Sequence, residues 1–107
     1  MKVIDHEPQN WFLLEDSGAL FLDGNYNHSF VGYDWMIQLN QAEVDQFRKR
    51  GRAFINWLAE DVQNSAPLLK VSTSSYKARR VPDALYNRAS AAIEEWKERR
   101  SDNVGAL

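Results

Sequence analysis

At 107 residues the chain has the size of a single domain that can bury a core of its own. The absence of cysteine excludes disulfides, thiolate zinc or iron–sulfur centres and a cysteine nucleophile, and with a net charge of only −2 the chain is not a bulk polycation. Met1–Asn10 carries no signal-peptide pattern, and no apolar run approaches the ~18 residues of a membrane span, so a cytoplasmic protein without a membrane segment is expected.

In chain order, residues 1–10 are polar, contain Pro8 and read as an N-terminal arm or a short edge strand. Residues 11–39 read as a three-stranded antiparallel meander. Trp11–Leu14 is an apolar run that meets turn chemistry in Glu15-Asp16-Ser17-Gly18. Ala19–Leu22 is a second run, which either turns at Asp23-Gly24 or continues through Tyr26 to turn at Asn27-His28. Phe30–Leu39 alternates with period two. That places Val31, Tyr33, Trp35, Ile37 and Leu39 on the core face, and Gly32, Asp34, Met36 and Gln38 toward solvent.

A helix is predicted over 40–66. Asn40-Gln41-Ala42-Glu43 has capping-box form, and Val44, Phe47, Phe54, Ile55, Leu58 and Val62 make an apolar stripe. Gly51 interrupts that stripe, so either a backbone approaches closely there or the helix divides in two. Residues 67–81 form a long basic loop, with a short strand at Leu69–Ser72 as an option. A last helix over 82–100 opens on Pro82 and shows Leu85, Ala89, Ala92, Ile93 and Trp96 on one face, with a frayed tail at 101–107. The expected fold is therefore α+β, one domain, with two or three helices packed on one face of the meander. Trp11, Trp35, Phe47, Phe54 and Trp96 belong to the expected core. Trp57 lies off the stripe as an anchor or a second small cluster.

The charge is unevenly distributed. Residues 1–47 hold eight acids and one base, a net −7, whereas residues 48–107 hold twelve bases and seven acids, a net +5. Such asymmetry builds opposed fields that steer partners. No motif for catalysis stands out. His28 near Asp23 could be drawn as a general base, but no nucleophile is placed by a recognisable pattern, and the pairs Glu15/Asp16, Glu60/Asp61 and Glu94/Glu95 are adjacent in sequence and diverge. No metal site and no cofactor is expected. Two surfaces remain as candidates. The acidic turns and sheet face, with Glu15, Asp16, Asp23, Asn25, Tyr26, His28 and Asp34, suit a basic protein partner. The basic clusters, with Arg48, Arg52, Lys77, Arg79 and Arg80, suit nucleic acid, against which stand the pI of about 5.6 and Asp34 on the sheet.

The runs Leu20-Phe21-Leu22-Asp23, Phe30-Val31-Gly32-Tyr33-Asp34 and Ile37-Gln38-Leu39-Asn40 resemble small immunity proteins of bacterial polymorphic-toxin and contact-dependent growth inhibition systems. Gly51-Arg52-Ala53-Phe54-Ile55, Leu58-Ala59-Glu60-Asp61 and Ser75-Tyr76-Lys77-Ala78-Arg79 carry the resemblance further, over most of residues 11–97. It implies a cytoplasmic inhibitor that binds one cognate toxin, the C-terminal domain of a large secreted protein and often a nuclease.

Overall fold

Four apolar residues in succession, Trp11, Phe12, Leu13 and Leu14, send large side chains from both faces of one strand, and a sheet built around it needs cover on both sides. The computed structural model, which describes the backbone of residues 1–28 and 31–105 and the side chains of 1–26 and 32–100, supplies that cover. Strands β1 (Lys2–Glu7), β2 (Trp11–Asp16), β3 (Ala19–His28) and β4 (Val31–Gln38) pair antiparallel in sequence order. Helices α1 (Gln41–Arg50), α2 (Arg52–Ser65) and α3 (Asp83–Gly105) follow, with a short 3-10 turn at Lys77–Arg79 before α3.

The α+β class stands, with three corrections to the architecture. The sheet has four strands, because residues 2–7 form an edge strand against β2. β3 does not turn at Asp23-Gly24; it continues through Tyr26, as the alternative reading has it, but Asn27 and His28 are still strand and not the turn. It runs on, pairing Asn27 with Gly32 and His28 with Val31, while Phe30 lies outside the described residues. The helices occupy both faces, not one. Trp11, Leu13, Leu22, Trp35 and Ile37 join Phe54, Ile55, Leu58 and Val62 of α2 in one core. Leu14, Phe21 and Met36 point the other way and pack with Val81, Ala89 and Ile93. Met36 is 0% exposed, although the alternation of β4 had assigned it to solvent. Period two gives the two faces of a strand; it does not say that one of them is wet.

The capping box forms as read: the Glu43 amide donates to Asn40 Oδ1 (2.9 Å), and the Asn40 amide donates to Glu43 Oε1 (2.9 Å). Gly51, with φ 62° and ψ −141°, divides the predicted 40–66 helix into α1 and α2, a conformation that penalises any residue with a Cβ. Residues 66–82 hold no strand at 69–72; they carry the chain around the outer edge of β4 from one face to the other. The crossing is fixed by a bridge between Arg80 and Ile37 and by the Val81 amide, which donates to the Met36 carbonyl (3.0 Å). α3 begins at Asp83, one residue later than expected, and stays helical to Gly105, where a frayed tail from 101 had been expected.

Gly24 has its own packing reason. The Tyr26 ring folds back over it, and a Cβ at 24 would lie 1.9 Å from the ring. Tyr26 is thereby laid flat in the core at 2% exposure, between the strands of Trp11 and Trp35, which both pair with Gly24. We expect Gly24→Ala to lower unfolding free energy by about 1–3 kcal/mol through forced displacement of that ring. Urea denaturation reads it directly, and an unchanged midpoint would show that the ring has room to move.

Candidate functional site

At one end of the sheet Asn10, leaving the β1–β2 turn, meets Asn25 of β3, whose amide donates to the Asn10 carbonyl at 2.8 Å. Gln9, in the same turn, takes φ 63°. A cleft opens on each side of this end. On the α3 side, a cleft of about 290 Å³ is lined by Phe12, Asp23, Asn25 and Asp34 from the sheet and by Ile93 and Glu94 from α3. On the α2 side, a shallower cleft of about 500 Å³ is bounded by Asn10, Asn25, Asn56 and Glu60, with Tyr26 in its wall. Asn10 and Asn25 line both, so the end of the sheet is a ridge of carboxamides between two clefts.

Register brings the two carboxylates together. Asp23 pairs with Met36 and Asn25 with Asp34, so Asp23 and Asp34 are diagonal neighbours on the α3 face of β3 and β4. Burial pushes the Asp23 carboxyl up to about 7, and the nearby charge of Asp34 adds to the rise. Asp23 Oδ1 is buried with no hydrogen-bond partner among the described residues. Asp34 is exposed as a residue, but partial desolvation raises its carboxyl as well. Beneath the other cleft, the Tyr26 hydroxyl is also buried without a partner among the described residues, and desolvation drives its ionisation far above the ordinary range. Chemically, this end can attract a cationic group and can hold one proton at Asp23 near neutral pH.

Among the seven residues expected to bind a partner, Asp23, Asn25 and Asp34 converge here. Tyr26 is beneath the surface, not on it, because its ring covers Gly24. Glu15 and Asp16 lie at the opposite, β2–β3 end. Asp16 is engaged there by Arg88 (2.8 Å) and by the N-terminal ammonium (3.6 Å). The side chain of His28 lies outside the described residues, so its pairing with Asp23 has no geometry to report. Residues from distant parts of the chain complete the site: Asn10 from the first turn, Asn56 and Glu60 from α2, Glu94 from α3. Two signals were present for them. Pro8-Gln9-Asn10 is turn chemistry, and Asn56, Glu60 and Gln63 recur at i, i+4 and i+7 beside the apolar stripe of α2. Asn56 is oriented by Trp11, whose indole N–H donates to its Oδ1 at 2.9 Å.

The basic candidates are distributed differently. Arg52 reaches Glu7 (2.6 Å) and Asp5 (3.4 Å), donates to the His6 carbonyl, and lies 5.0 Å from the centre of the Trp11 ring. Arg79 forks onto Glu43 at 3.0 and 2.5 Å and donates to the Gln38 carbonyl at 2.8 Å. That hydrogen-bonded pair raises the guanidinium further still. Arg80 pairs with Asp83 (3.2 Å) and sits over the Tyr86 ring at 4.3 Å, while Lys77 donates to the Leu69 and Lys70 carbonyls. Arg48 is exposed and makes no ion pair among the described residues. Trp57 stacks on Phe54 at 5.7 Å and remains 51% exposed.

Among the described residues no cluster of three or more His, Asp or Glu could hold a metal ion, and no helix is long and apolar enough to cross a membrane. Comparison with protein-family models, with curated proteins and with solved structures finds no match.

The Asp23 environment has a consequence for stability. Its folded pKa of about 7 lies above the ordinary 3.8, so between those values the folded state holds a proton that the unfolded state has lost. Stability therefore falls as pH rises from about 4 to 8, by at most about 4 kcal/mol from this group. Denaturation curves across that range should show Asp23→Asn losing this slope and gaining on the wild type at pH 8. Equal slopes in the two proteins would place the Asp23 carboxyl in water.

Proposed function

We propose that this chain is an immunity-type inhibitor: a protein that acts in the cytoplasm by binding one cognate toxin domain, with no reaction of its own. The sequence resemblance suggests that class. The observation that carries the reading is electrostatic. At the Asn10–Asn25 end, Asp23, Asp34 and Glu60 form no ion pair among the described residues, whereas Arg52, Arg79 and Arg80 are turned onto carboxylates of the same chain. What this molecule offers a partner there is the negative charge of Asp34 and Glu60 beside carboxamides, with Asp23 partly protonated near neutral pH and Lys97 of α3 also lining the α3-side cleft. A toxin whose site holds phosphate offers the complement, and an acidic inhibitor seated on that site excludes its substrate.

The experiment is a rescue assay. Where a toxin domain is encoded beside this chain, cells that express it should survive when the wild-type chain is co-expressed, and a locus without one counts against the reading. Asp34→Lys, at an exposed position that leaves the cores untouched, should bind that domain roughly 10–100-fold more weakly, mainly through a slower on-rate at low salt. Failure of the wild type to protect would overturn the immunity reading. Full protection and unchanged affinity with Asp34→Lys would move the interface away from this end.

A further inference from the structure

β4 is the last strand of the sheet, and its outer edge is only half covered. The covered half identifies which main-chain groups point outward. The Met36 carbonyl accepts from the Val81 amide, and the Met36 amide donates to the Tyr86 hydroxyl at 2.6 Å, so Met36 turns both its groups away from β3. Along a strand these directions alternate with period two. Asp34 and Gly32 therefore also aim amide and carbonyl out of the sheet, where no partner meets them among the described residues. Both residues are exposed. The opposite edge, β1, is disrupted by a bulge between Val3 and Asp5, and the His6 carbonyl there is taken by Arg52.

We infer that the open half of β4, at Gly32–Asp34, receives an extended basic segment of the partner protein as an added antiparallel strand. The inference rests on the reading of the chain as a protein-binding inhibitor and specifies how it would bind. Two observations choose this occupant. The chain already pairs its own residues 79–81 antiparallel to the same edge, one step further along, through the Arg80–Ile37 bridge, so an added strand continues an interaction the edge makes. The charge is also selective. The residue opposite Asp34 would project onto the α3 face beside Asp34 and Asp23, where a Lys or Arg is attracted and an acid repelled. Its neighbours would fall on the other face beside Tyr33 and Trp35, where apolar side chains fit. Asp34 thus guards the edge against neutral or acidic strands while admitting a basic one.

The probe is a short synthetic peptide that alternates Lys and Val, compared with its Glu-for-Lys counterpart and with a form N-methylated along one edge. Amide spectra of the full chain are followed during titration. The Lys peptide should shift the Gly32 and Asp34 amides and slow their exchange with solvent. The Glu peptide should bind roughly tenfold more weakly or worse, and Asp34→Asn should narrow that difference without abolishing binding. The N-methylated form should fail. Equal binding of the N-methylated and unmodified forms, shifts confined to β1, or no shift in β4 would each overturn the inference. If wild-type cells are still rescued from the toxin in any of those cases, the edge is rejected and the inhibitor reading stands. Failure of rescue with the β4 shifts present rejects the inhibitor reading and leaves the edge.

Discussion

The structure depends on a sheet whose central strands are apolar on both faces. β2 places Trp11 and Leu13 in one core and Leu14 in the other, each at 1% exposure or less. At roughly 25 cal/mol per Å² of buried apolar surface, side chains of this size contribute about 1.5–3 kcal/mol each, and neither face can be left to water. Placing every helix on one side would expose Leu14, Phe21 and Met36. The chain must therefore cross an edge of the sheet after α2, and α3 exists to cover what α1 and α2 do not reach.

That crossing explains the fate of the basic half of the sequence. A segment that wraps the β4 edge must satisfy its own backbone and hold itself to the sheet, and its cations do much of this. Glu43 is the junction: it accepts the Asn40 amide in the α1 cap and both nitrogens of the Arg79 fork. Its side chain is 13% exposed, so the pair is shielded far more than an ordinary surface salt bridge. Arg52 ties α2 to β1 in a similar way. The −7 of the first half and the +5 of the second partly cancel inside the molecule, and the cancellation is local. It reaches Asp5, Glu7, Asp16 and Glu43 but not Asp34 or Glu60.

Much of this was legible in the sequence, and the failures share a cause. The capping box at Asn40–Glu43, the Gly51 interruption and the alternation of β4 are local signals, and each appears where local chemistry puts it. The one-sided sheet failed because alternation reports which residues share a face, not what lies against it. Met36 is an apolar residue in the set assigned to water, and it was the clue to a second core. The sequence places Tyr26 among the exposed residues, since nothing in a linear pattern says that a ring will fold back over a glycine two residues earlier. The contribution of Asn10, Asn56 and Glu94 to the candidate site is a product of long-range pairing. No window of sequence contains residues 10, 25, 34, 56 and 94 together. Arg52 and Arg79 looked available for the same reason, since the carboxylates that engage them are tens of positions away.

The central claim is that the carboxamide and carboxylate end of the sheet is the face this protein presents, with Arg52, Arg79 and Arg80 engaged in holding the fold. Hydrogen–deuterium exchange on the chain, alone and mixed with a candidate toxin domain, tests this most directly. Protection concentrated at residues 7–12, 23–26 and 32–35, with 77–80 unchanged, is the pattern the account predicts. Protection concentrated at residues 48–52 and 77–80, with the Asn10–Asn25 end exchanging as in the unbound chain, would contradict it.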